Sequence, residues 1–456
     1  MKVVFISILF VILSMPVSNS QVFEMEDVVT ELSQPNAFDF LPNGNIIITE
    51  KAGPVKVFSP SGSIIDTFWN FHDSSFYFGE MGTLGISVDP DYNSNHYIYV
   101  YYVSGNVSIF NFRIVRFTEN NNRGTYPAIV FDFQNPIGSG NTHAAGNIHF
   151  RTDGTLFFGI GSIETACNAQ VLTCPRGKIL RIDKNGNSPL DNPFYDDGNP
   201  AIGNDDRIWA LGLRNPYEFC ISPLNDSIYS CDNGSGPDEI NFIRKGKNYG
   251  YPFCQGICGH PVFIDPVLQL PVSTVPTGII FYSGNAFPEL QNKLLFASYS
   301  GKKIYVCNLA NAPIYDTVTS YYEWINLGSS QPNIIKQGVD GNIYVSLLGT
   351  NKLVKIKPGV IGINIPYQTI GFSLSQNYPN PFNPATNIKF EVPKSGWVTM
   401  RIFNSLGIEV STLLNETRQQ GIHEVFWDAS NFPSGVYFYE LRAGEYSERK
   451  KMVLIK

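Results

Sequence analysis

Apolar and polar positions along this chain alternate in short runs, and the runs are punctuated by turns rather than by helical stretches. Three phrases share one design: FLPNGNIIITEK (40–51), FRTDGTLFFGIGS (150–162) and QGVDGNIYVSLLG (337–349). In each, a polar-glycine turn leads into β-branched and aromatic residues, the pattern of a tight hairpin and its return strand. DSIYSCD and KLLFASYSGKKIYVC also read as strands. No stretch keeps a helical period for more than two turns. Turn-plus-strand units recurring every few tens of residues predict a β-propeller, each blade a small antiparallel sheet. A β-sandwich is the rival fold, but it does not readily explain Asp/Asn-Gly phrases so far apart.

The pattern changes after LVKIKPG (353–359). Residues 360–372 read as a linker punctuated by Gly and Pro, and 373–456 form a cysteine-free tail. Its segments VTMRIFNSLGIEV, HEVFWDAS and GVYFYELRAGEYSERKKMVLIK alternate like the strands of a small antiparallel β-sandwich. At the other end, Lys2, an apolar run from Val3 to Met15 and the small residues Ser18-Asn19-Ser20 read as an export signal over 1–20. That run is short for a membrane span and no later segment approaches the needed length. The expectation is a mature protein with no transmembrane span, secreted or held at the cell surface, its main body spanning 21–359.

Composition narrows the partners. Aromatic residues make up 14% of the 456 positions and charged residues only 16%, which suits a β-rich folded protein. The net charge of −7 argues against nucleic acid or an anionic membrane surface. All seven cysteines lie between 167 and 307, and export permits bridges. Cys167/Cys174 and Cys254/Cys258 would each close a short loop. Cys220 and Cys231 flank a hairpin and could face each other, and Cys307 is the expected leftover. Other connectivities stay open. Zinc is a weaker rival, because Cys254, Cys258 and His260 lack a second convincing pair.

Two phrases carry candidate chemistry. In LGLRNP, Arg214 and Asn215 precede a proline that forces extended backbone. In DEINFIRKGKNYGYP, Asp238, Glu239 and Asn241 place oxygen ligands within four residues, ahead of a glycine turn at 246–250. A guanidinium, an amide and clustered carboxylates are what a polar small-molecule pocket with a hard metal ion requires. Solvated loop charges are the plainer alternative.

The tail resembles the type A C-terminal sorting domain of the type IX secretion system, through NYPNPFNP (377–384), SLGIEV (405–410), ASNFPSGVYFYEL (429–441) and KKMVLIK (450–456). The resemblance implies the type IX machinery as a partner, so the tail is an address and not an activity. The body resembles the soluble glucose/sorbosone (aldose sugar) dehydrogenases that use pyrroloquinoline quinone, a six-bladed propeller family. The matching phrases are GEMGTLGISVDPDYNSNHYIYVYY (79–102), THAAGNIHFRTDG (142–154), RGKILRID (176–183), DNPF (191–194), IWALGLRNPYEF (208–219), DEINFIRKGKNYGYP (238–252) and PTGIIFYSGNAFPEL (276–290).

The resemblance implies His143 as general base toward a sugar hydroxyl and Arg214 as the cation that polarises an oxygen. Glu80, Asn215 and Thr277 match cofactor-binding positions. Calcium is the second implied cofactor, held by the carbonyls of Gly234 and Ser235, with Glu239 and Tyr249 matching a further calcium position. The chain also departs from the family: Glu80 stands where a glutamine is expected, and Ser300, Gln331 and Asn333 stand where cations would neutralise the quinone's carboxylates. Lys302, Lys303 and Lys336 are the candidate substitutes. Two readings follow, a secreted sugar dehydrogenase forming a lactone, and a non-catalytic propeller that binds carbohydrate or a protein partner.

Overall fold

The computed structural model describes residues 23–359 and 373–456, apart from 107, 136–139, 141, 164–165, 200, 393–394, 419–420 and 445. The expected signal segment and linker lie outside the described residues. The chain divides into two compact units, Met1–Val360 and Ile361–Lys456.

The first unit is a propeller of six four-stranded antiparallel blades. Blade 1 comprises Pro35–Phe40, Ile46–Glu50, Pro54–Phe58 and Ile64–Asn70, and blade 2 Thr83–Val88, Tyr97–Gly105, Phe110–Asn120 and Arg123–Asn135. Blade 3 comprises Ile148–Phe150, Leu156–Ile160, Lys178–Ile182 and Ile208–Leu211, and blade 4 Pro216–Ile221, Ile228–Asp232, Asp238–Ile243 and Leu268–Leu270. Blade 5 comprises Pro276–Tyr282, Lys293–Ser298, Lys303–Ala310 and Thr317–Asn326. Blade 6 takes Pro332–Gln337, Ile343–Leu347 and Lys352–Pro358 from the end of the propeller chain and borrows its outermost strand, Phe23–Val29, from the start.

The three glycine phrases occupy the same place in blades 1, 3 and 6, the hairpin between the first and second strands. Gly44, Gly154 and Gly341 sit at φ of +85°, +78° and +76°, a region that favours glycine. Each donates its N–H three residues back, to Leu41, Arg151 and Gly338. Asn43, Asp153 and Asp340 each accept from the N–H two residues ahead, at 3.0, 2.9 and 3.1 Å.

Apolar side chains pack between blades rather than within one central core. Tyr101, Phe112, Phe158 and Ile160 fill the layer between blades 2 and 3. Phe157, Trp209 and Phe219 fill the next, and comparable layers follow around the ring. Along the axis the first strands carry polar residues: Asn333 donates to the Asn36 carbonyl at 2.7 Å, Asn36 to the Thr83 carbonyl at 2.8 Å, and Thr277 to the Pro332 carbonyl at 3.0 Å.

The second unit is a β-sandwich. Ser373–Leu374, Ala385–Val392 and Gly421–Asp428 make one sheet; Glu409–Arg418, Gly396–Asn404, Gly435–Ala443 and Tyr446–Leu454 make the other, in that order. Ile388, Met400, Trp427, Tyr439 and Met452 lie in its core. Phe382 of the NYPNPFNP phrase donates its N–H to Val453, whose own N–H reaches Asn380, so this phrase clasps the terminal strand.

The cysteines correct part of the disulfide expectation. Cys254 and Cys258 are bridged. Cys220 and Cys231 are buried free thiols, because the hairpin register sets Tyr229 opposite Cys220 and Glu218 opposite Cys231. Cys307 is buried and free, and Cys174 also carries a free thiol. The side chain of Cys167 lies outside the described residues. No helix among the described residues is long and apolar enough to cross a membrane.

If the inter-blade layers carry the stability, Phe158→Ala, which empties a fully buried position between blades 2 and 3, lowers the unfolding free energy by about 3–5 kcal/mol in urea titration. A loss below about 1 kcal/mol would contradict this packing account.

Candidate functional site

Six blades begin their first strands on the same face, so the loops leading into those strands meet around the axis. Glu80 precedes blade 2, His143 precedes blade 3, and Arg214 and Asn215 precede blade 4. Asn215 joins them. Its Oδ1 accepts from the Ala145 N–H at 2.9 Å, and its Nδ2 donates to Glu80 at 3.3 Å. Its own N–H donates to Asp232 at 2.5 Å, beside the Arg214 N–H at 2.9 Å on the other oxygen of that carboxylate. Glycine is required at 161, where a Cβ would lie 1.9 Å from the His143 carbonyl.

Glu80 accepts from the Ala144 N–H at 3.1 Å. Burial pushes its carboxyl above the ordinary glutamate value, opposed by the amides of Ala144, Asn215 and His143 and by the Lys51 charge. Lys51 donates to the Gly79 carbonyl at 2.6 Å, and burial lowers its own pKa against the pull of Glu80. Lys51 was missed in the sequence because it ends a strand phrase. No motif marks it.

Arg214 donates from Nη1 to the Asn233 carbonyl at 2.6 Å. The alternative carboxylate partner, Glu218, is engaged instead by His149 at 2.6 Å and by the Asn147 amide. Under the rim a cavity of about 50 Å³ is lined by Asn36, Lys51, Glu80, Asn147, Tyr217 and Ile334, among others. That is room for a water or two, far below the several hundred Å³ of a ligand cleft.

The expected cation clamp is absent in the places proposed for it. Ser300 is exposed. Asn333 is fully buried and spends its side chain on Asn36 and on the Tyr217 hydroxyl at 2.8 Å. Gln331 lies against Gly349. Of the candidate substitutes, Lys303 pairs with Glu323 at 2.6 Å and Lys336 with Asp39 at 3.2 Å, near the far end of its strand. Thr277 is buried and its hydroxyl ties blade 5 to blade 6 rather than facing an open cleft.

The calcium positions run from the turn before the blade 4 strand Asp238–Ile243, through that strand, to the loop after it. Gly234 donates its N–H to Asp238 at 2.8 Å, while the Ser235 N–H and hydroxyl both reach Gln255 at 3.0 Å. Glu239 is buried, holding the Asn241 amide at 2.9 Å and the Gly256 N–H. Tyr249 is buried beside blade 3, its N–H on Leu211 at 2.9 Å and its hydroxyl on Phe242 at 2.5 Å. Burial and the Glu239 charge push Asp232 up to about 7, and burial raises Glu239 as well. The side-chain oxygens of Asn233 and Asn241 are buried without hydrogen-bond partners among the described residues. Crowded carboxylates and two orphaned amide oxygens fit a hard cation.

Comparison with known proteins accounts for this arrangement. The glucose/sorbosone dehydrogenase family profile matches residues 32–354, and the secretion system C-terminal sorting domain profile matches 376–456. The chain is 26% identical over 357 residues to the aldose sugar dehydrogenase YliI of Escherichia coli (strain K12), covering 73% of this chain and 92% of that protein. It overlays the soluble aldose sugar dehydrogenase of Escherichia coli in its apo form with a TM-score of 0.67 at 25% identity, over 74% of this chain and 100% of that one. The PQQ-bound aldose sugar dehydrogenase of Streptomyces coelicolor, at 22% identity and a TM-score of 0.63, shares the fold over 74% of this chain and 98% of its own. The type IX sorting domain indicates export to the cell surface or the medium. The propeller and its rim thus have a family: the chain belongs to the glucose/sorbosone dehydrogenases.

Proposed function

We propose that the exported propeller is a calcium- and PQQ-dependent aldose dehydrogenase that oxidises a sugar hydroxyl to a lactone. The observation that carries this reading is the Asn215 amide, which binds the loops bearing Glu80, His143 and Arg214 into one hydrogen-bonded rim. The quinone, when bound, would supply a two-electron acceptor for the hydride leaving the sugar carbon. His143 would take the hydroxyl proton. Arg214 would lend a fixed positive charge to the oxygen that gains electron density. Gly234 and Ser235 would hold calcium by their carbonyls, with Glu239 and Tyr249 at the second position. Arg214, Lys51 and a divalent ion together would balance the cofactor's carboxylates and the charge of Glu80.

A second reading, a non-catalytic propeller that binds carbohydrate or a protein, is favoured by one observation: where cations were expected, Asn333 is turned onto Asn36 and Gln331 lies against Gly349. Titration of the mature chain with PQQ in calcium separates the two. The dehydrogenase reading expects saturable cofactor absorbance and sugar-dependent dye reduction, with His143→Ala lowering kcat roughly 10²–10⁴-fold while cofactor still binds. Absence of binding at micromolar PQQ supports the binding module.

Glu80 gives a second test. The fold favours its neutral form, so ionisation costs stability as pH rises above the ordinary glutamate range. Glu80→Gln is therefore expected to raise the urea midpoint at about pH 8, the gain closing at about pH 4. A variant less stable than the parent at the higher pH would mean that the N–H contacts outweigh burial.

A further inference from the structure

Blade 3 carries a long excursion between Lys178–Ile182 and Ile208–Leu211, and its acidic residues fall into two groups. Some are neutralised locally: Asp191 pairs with Arg181 at 2.8 Å, and buried Asp205 pairs with Arg207 at 2.7 Å. Asp196, Asp197 and Asp206 have no such partner among the described residues, yet one carboxylate oxygen from each lies within 4.8 Å of the other two.

Each of these carboxylates is anchored through one oxygen. Asp206 Oδ1 accepts from the Asp196 N–H at 2.6 Å, Asp196 Oδ2 from the Asn204 N–H at 2.9 Å, and Asp197 Oδ1 from the Asn199 N–H at 2.7 Å. Asp206 has no exposed surface, and its Oδ2 is buried without a hydrogen-bond partner among the described residues. A fully buried carboxylate oxygen left without a protein donor is costly, the more so beside two further negative charges.

We infer that Asp196, Asp197 and Asp206 form a calcium site on the outer part of blade 3, separate from the rim and from Glu239 on blade 4. Two oxygens bound to one calcium ion lie up to roughly 5 Å apart, so the observed spacing is within its reach. The donors are all hard oxygens, two of the three carboxylates are exposed so that waters can complete the shell, and the ion would satisfy Asp206 Oδ2 directly. Export suits such a site, since extracellular calcium modules work with dissociation constants of about 10⁻⁴–10⁻³ M. The ion would pin the 191–206 excursion to the blade, a structural role with no part in sugar chemistry.

The test is calcium stoichiometry of the chelator-stripped, full-length mature protein by titration calorimetry with calcium chloride. The parent is expected to bind one more equivalent than Asp206→Asn. Because Asp206 also anchors the loop backbone, that variant could fail to fold. Asp197→Asn, at an exposed position, is the companion and is expected to lose or weaken the same equivalent. Glu239→Gln is expected to retain it. Parent-like stoichiometry and affinity in folded Asp197→Asn and Asp206→Asn would overturn the site, as would loss of this equivalent in Glu239→Gln alone.

Discussion

The ring closes because the first strand, Phe23–Val29, becomes the outermost strand of the last blade by pairing with Lys352–Pro358. Everything at the rim depends on that closure. A ring of six blades forces six chain entries onto one face, and only there can residues as far apart in sequence as Glu80 and Asn215 meet. The apolar layers between blades hold the ring rigid, which lets short polar contacts near the axis keep their geometry.

On that frame the rim is organised by buried charge more than by a deep cleft. Asp232 gives both oxygens to the Arg214 and Asn215 amides and so fixes the backbone from which those side chains project. Its neighbour Glu239 adds a second negative charge, and the two together resist full ionisation in the absence of a cation. Glu80, held by the Asn215 amide, and Lys51 form a second, oppositely charged pair of buried groups in the same rim. The cost of these groups is the kind that functional sites retain and structural cores avoid.

Much of the fold was legible because its signals are local. The Asn-Gly and Asp-Gly turns at 43–44, 153–154 and 340–341 specify hairpins by backbone conformation alone, and strand alternation does the rest. The sorting tail was legible through phrases that turn out to touch, NYPNPFNP against the terminal strand. Register was not legible. The hairpin at 216–232 sets Cys220 opposite Tyr229 and Cys231 opposite Glu218, and nothing in the intervening turn residues announces that register. Side-chain direction was equally hidden: Lys303 and Lys336 are close in sequence to the expected clamp but point to Glu323 and Asp39. Lys51 entered the site from a different blade, through a contact with Gly79 that only the folded ring creates. Asp196 and Asp206 sit ten positions apart in a loop, and their proximity depends on how that loop closes.

The central claim is that the loops opening blades 2, 3 and 4 meet over a metal-held flat cofactor on one face of the ring. A crystal structure of the mature chain grown with calcium and PQQ tests it most directly. The account predicts a planar cofactor above the small axial cavity, within reach of Arg214 and His143, with a calcium ion against the Gly234 and Ser235 carbonyls. A rim left bare under saturating cofactor, or cofactor bound away from these residues, would contradict it.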